Sequence, residues 1–119
     1  MAYNAQQLLY HYCERYQVDA EKALKIISEV FVIIDMRYEK AVFDLHLLPT
    51  RAGSTFFATL DGRIVSISDD YHLQHNITIA PEEHLVFEAA NQLQLIPISQ
   101  LRCVYYDEWI AERRRIRRV

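Results

Sequence analysis

The stretch STFFATLDGRIVSIS, Ser54–Ser68, constrains the fold more than any other part of this sequence. Two runs rich in β-branched and aromatic residues flank Asp61-Gly62. A type I′ turn needs positive φ at both central residues, and Asp-Gly tolerates that well, so the stretch predicts a β-hairpin. A chain that commits these residues to a ribbon must then provide a sheet or helices around it.

Glycine and proline punctuate the rest, because the chain has only two glycines and three prolines. Asn4 is placed to cap a first helix, with Gln7 three residues on. Leu8, Leu9, Tyr12 and Tyr16 share one face of it. Asp19 is placed to cap a second helix, where Ala23, Ile26, Ile27, Val30, Phe31 and Ile34 recur at helical spacing. The short break between them predicts an αα-hairpin. The stretch Val30–Leu48 reads two ways. Its apolar stripe continues as a helix, but Phe43, Leu45 and Leu47 alternate with Asp44 and His46, and the alternation favours a strand ended by Pro49 and Gly53.

Downstream of the hairpin, DDYHLQH reads as a loop and NITIA, Asn76–Ala80, as a short strand. Pro81, followed by Glu82 and Glu83, suits the first turn of a third helix, with Leu85, Val86, Ala89 and Leu93 as its stripe. From Pro97, the residues Ile98, Leu101, Tyr105, Trp109, Ile116 and Val119 form the stripe of a fourth. The reading is one α+β domain spanning 1–119: two N-terminal helices, a small antiparallel sheet holding the Asp61-Gly62 hairpin, and two C-terminal helices.

Charge is unevenly spread. Residues 1–111 carry 8 basic and 15 acidic groups, −7, whereas 112–119, ERRRIRRV, carry 5 basic and 1 acidic, +4. An acidic body repels a phosphate backbone at long range, which weakens a simple nucleic-acid reading. Two cysteines, Cys13 and Cys103, do not make a disulfide framework. The N-terminus lacks the pattern of a secretory signal, and the longest aliphatic run, Val30–Ile34, is far too short to span a bilayer. A cytoplasmic protein with reduced thiols and no membrane contact is expected.

Three surfaces carry chemistry. On the last helix, Tyr106, Trp109 and Ile110 precede Arg113, Arg114, Arg117 and Arg118. Tyr, Trp and Arg are the residues that dominate interface energetics, and guanidinium groups one turn apart can grip carboxylates or phosphates. The same arginines also suit the end of a helix, where cations meet the negative pole of its dipole. The segment Asp69, Asp70, His72 and His75, with His84 beyond it, offers the ligand types of a divalent metal and, with it, of a hydrolase or nuclease. The spacing lacks the HExxH pattern, and four polar residues are also what a solvated loop contains. No GxSxG surrounds a serine, and no glycine-rich loop is present to cradle a nucleotide, so no cofactor is expected. The expected function is that of a small non-enzymatic binding protein, an adaptor, regulator or inhibitor. It would contact a protein partner, or itself as a homodimer, through the C-terminal helix. A nucleic-acid-associated factor and a metal-dependent hydrolase are the alternatives.

Overall fold

The computed structural model describes residues 2–117, and the side chains of residues 2–115. Its order is β1 (Ala2–Asn4), α1 (Ala5–Tyr16), α2 (Ala20–Val30), β2 (Phe31–Asp35), β3 (Lys40–Val42), β4 (Leu45–Arg51), β5 (Phe56–Ala58), β6 (Ile64–Ser66), α3 (Ile67–His75), β7 (His84–Glu88), β8 (Asn91–Pro97), β9 (Leu101–Tyr105) and α4 (Tyr106–Arg117). This is an α+β architecture with antiparallel pairing throughout. None of the described helices is long and apolar enough to cross a membrane.

The two N-terminal helices start where their caps stand. Asn4 Oδ1 accepts from the backbone N–H of Gln6 and Gln7 at 2.9 and 3.2 Å, and Asp19 Oδ1 accepts from that of Lys22 at 2.8 Å. α2 ends at Val30; Phe31 and Ile34, expected on its helical stripe, lie instead in the extended β2, where pairing with β3 and β9 decides. The strand reading of 40–51 holds, broken into β3 and β4 where Asp44 takes a left-handed φ of 52°. β4 runs through Pro49, which an edge strand tolerates.

The strands form a four-stranded sheet of order β1-β9-β2-β3, a three-stranded sheet β4-β7-β8, and the ribbon β5-β6. β9 lies between the first and second strands of the chain, pairing Cys103 with both Tyr3 and Ile33. One core joins the helix hairpin to both larger sheets. Leu9, Leu24 and Ile27 of the helices meet Ile33, Leu101 and Cys103 of one sheet and Leu45, Val86 and Ile96 of the other. A second cluster, around Ala52, Tyr71, Ile79 and Leu85, packs α3 on the opposite face of the three-stranded sheet. Arg37 ties the two parts together. It grips the buried Asp35 with Nε and Nη2, at 3.0 and 2.7 Å, and donates from Nη1 to Tyr71 Oη at 2.7 Å.

Five further expectations are corrected. The predicted third helix, from Pro81, is the hairpin β7-β8, in which Val86 faces Ile96 and Glu88 faces Asn91. Its apolar residues fit both periods, and pairing with β4 decides. The fourth helix starts only at Tyr106; Leu101–Tyr105 is a strand whose alternate members Leu101 and Cys103 are buried against the helices. DDYHLQH is not a loop but most of α3, capped by Ser66 Oγ accepting from Asp69 N–H at 3.1 Å and closed by a left-handed Asn76. The segment NITIA forms no strand, although Ile79 is buried. The Asp61-Gly62 hairpin exists, but its turn differs. Gly62 N–H donates to Thr59 C=O, and Gly62, at φ 85°, is its only positive-φ residue, so the loop is a type I turn followed by a glycine bulge.

Candidate partner-binding trough

α4 starts directly from β9, so the sheet sets its position, and Asp107 and Glu108 in its first turn suit the positive pole of the dipole. It covers the outer face of the four-stranded sheet, the one turned away from α1 and α2. That cover is thin. No described side chain of α4 is fully buried; Trp109 and Ile110 are half-buried, and Tyr106 is 60% exposed.

Beside the helix run two adjoining cavities of about 570 and 980 Å³. They share Phe43 and Trp109 and so form one trough. Tyr106 stands over the first, whose other wall is the end of α2 and the start of β4. The second is floored by Ile34, Ala41 and Arg102 and walled by β3 and by the arginines of α4. Phe43, at the bend between β3 and β4, is 61% exposed. An aromatic so placed beside a half-buried tryptophan is ready-made contact area.

The charges are arranged around that apolar strip. Arg102 Nη2 lies 2.9 Å from Glu39 Oε2 and 4.0 Å from Glu112 Oε2, so the two acids of the second cavity share one cation. The Arg113 guanidinium sits over the Trp109 ring, 4.8 Å from its centroid, and Tyr106 meets the same ring at 6.2 Å. Among the described residues Arg113, Arg114 and Lys40 make no ion pair. Of the residues expected from sequence to bind a partner, Tyr106, Trp109, Ile110, Arg113 and Arg114 therefore border one trough. The side chain of Arg117, and Arg118 entirely, lie outside the described residues.

The metal reading finds no geometry. Among the described residues no three His, Cys, Asp or Glu side chains stand together as a cation site requires. The cause is α3 itself. These residues lie along α3, with Tyr71 turned into the core and His72 and His75 toward solvent. His72 and His75 are exposed, and His75 leans on the Tyr71 ring at 5.3 Å. His84 begins β7 opposite Arg51; burial, and then that cation, hold its imidazole below the usual range. The cysteines are packing groups: burial pushes Cys103 up to about 12 and raises Cys13 as well.

Phe43, Ile34, Lys40 and Arg102 were not singled out by sequence reasoning. They come from three strands and meet α4 only through sheet pairing. The one local signal is Phe43, an aromatic standing between a strand and an Asp in left-handed conformation. No protein-family model and no curated protein matches this chain.

Proposed function

We propose that this chain is a small non-enzymatic binding protein that takes a segment of a partner protein into the trough between α4, β3 and β4. One observation carries the reading: Trp109 is left half-covered where the two cavities meet, flanked by the exposed aromatics Phe43 and Tyr106. Apolar aromatic surface rimmed by polar groups marks a contact site, and Trp, Tyr and Arg concentrate binding energy when a partner desolvates them.

Trp109 is the sole tryptophan, so the protein carries its own reporter at the site. The test is a random peptide display selection against the full chain, counter-screened on a Phe43→Ala/Trp109→Ala variant. Enriched peptides that shift Trp109 emission and fail to bind the double variant are the expected result. An empty selection, or peptides that bind both proteins alike, refutes the reading. Light scattering on the same samples reports whether the occupant is a second copy.

A further inference from the structure

The second cavity is positive although the chain is negative, whereas the first sets Glu29 and Asp44 against Lys25. The chain carries −3 overall and −7 over residues 1–111, yet the second cavity gathers Lys40, Arg102, Arg113 and Arg114 against Glu39 and Glu112. Arg102 is already engaged by both acids, which leaves Lys40 on one wall and Arg113 and Arg114 on the other without an ion pair among the described residues. Cations concentrated against the charge of their own chain steer an anionic partner toward that place.

The form of the cations narrows the class. Arg113 lies over the Trp109 ring, so its guanidinium is held beside the apolar strip. A held guanidinium favours bidentate carboxylate recognition, and a stacked arginine loses less freedom when it forms that pair. Lys40 stands on β3, the outermost strand of its sheet. A lysine on a sheet edge discourages neutral or basic strands from adding there and tolerates acidic ones. Between the cations the lining is Ile34, Ala41, Phe43 and Trp109, which asks for an apolar anchor.

Resting on the binding reading above, we infer that the segment taken by the trough is acidic, with an aromatic or branched aliphatic anchor set between Asp or Glu residues. The selection described above tests both statements separately. No Phe43- and Trp109-dependent peptides means the binding reading itself fails. Dependent peptides that are neutral or basic overturn this inference and leave that reading standing. The expected outcome is dependent peptides of net negative charge with one central Phe, Tyr, Trp, Leu or Ile.

Titration of such a peptide, followed by Trp109 emission, should then weaken by about tenfold or more between roughly 0.05 and 0.5 M salt, as screening shortens. Arg113→Glu/Arg114→Glu should weaken it comparably. Lys40→Glu, on the opposite wall, provides the same check without touching α4. Unchanged affinity in both charge-reversed proteins refutes the inference. A single-stranded oligonucleotide of equal charge is the competitor. If it binds the Phe43→Ala/Trp109→Ala protein as tightly as the wild type and displaces the peptide, the arginines serve nucleic acid and the acidic-segment assignment is wrong.

Discussion

Two helices each lie on the outer face of a sheet, and they do so to opposite effect. α3 seals the three-stranded sheet. Tyr71 and Ser68 are buried, and Tyr71 Oη accepts from Arg37, which holds the buried Asp35. α4 lies on the four-stranded sheet and buries no described side chain completely. Yet α4 has the larger aromatic surface, Tyr106 and Trp109 against the single Tyr71 of α3, which otherwise carries Asp69, Asp70, His72, Gln74 and His75 in nine residues. A polar helix can seal a sheet through one well-aimed tyrosine. An aromatic helix leaves a trough when its large residues stand beside the sheet rather than over it. The aromatic content of a helix thus says little about whether it completes a core or offers a contact.

Several variants would break or sharpen this contrast. Tyr71→Ala should have the largest effect, about 3–4 kcal/mol of stability by urea denaturation, because it empties a buried site and removes a partner of Arg37. Tyr71→Phe should cost only about 1 kcal/mol, the hydrogen bond alone. If Trp109→Ala destabilises as much as Tyr71→Ala, the two helices do the same job and the contrast collapses.

Glu83, at the foot of β7, comes next. It is 4% exposed and its Oε2 has no hydrogen-bond partner. Burial raises its carboxyl above the usual range, with Glu82 adding to the effect and Ser99 opposing it through hydrogen bonds. The folded state therefore favours the protonated form. Stability is greatest below the ordinary glutamate range and falls as pH rises through the raised folded value. Glu83→Gln should remove that fall and gain about 1–2 kcal/mol at neutral pH. An unchanged pH–stability curve in the variant would show that the carboxylate finds solvent or a partner.

On the α4 side the stability effects should be small. Trp109→Ala should cost about 1 kcal/mol or less, and Phe43→Ser and Arg114→Ala should stay within about 0.5 kcal/mol, as exposed positions do. The same changes should abolish or weaken peptide capture. Melting curves and Trp109-independent binding assays, run side by side, separate the two quantities. A Phe43→Ser protein that melts far below the wild type would mean that Phe43 belongs to the core.

The sequence revealed those elements whose signals are local. Asn4 and Asp19 announce their helices, Asp61-Gly62 announces its ribbon, and alternation from Phe43 to Leu47 announces a strand. Where one apolar pattern fits two periods, only long-range pairing decides. Leu85, Val86 and Leu93 fit a helix as well as a hairpin. Leu101 and Tyr105 are spaced as in a helix, but Leu101, Cys103 and Tyr105 also alternate, and β1 and β2 draw them into the sheet. The cap of α3 at Ser66 was present in the sequence, but its run of aspartates and histidines hid it. Half of the trough was legible for the same reason: Tyr106, Trp109, Ile110 and the arginines are consecutive. The other half, Ile34, Lys40, Phe43 and Arg102, has no contiguous pattern to read.

The position of β9 also sets the order in which this molecule can be made. β1 and β2 do not pair with each other; each flanks β9, which lies far along the chain from both. During synthesis the helix hairpin emerges early and waits with an open slot where Leu101 and Cys103 will sit. Closing that slot requires contacts at large sequence separation, which fold slowly because loop entropy must be overcome before pairing is rewarded. Until β9 pairs, the apolar faces of Leu9, Leu24 and Ile27 lack the cover that Leu101 and Cys103 supply. The same strand carries α4 into place, so the trough is complete only once β9 has paired.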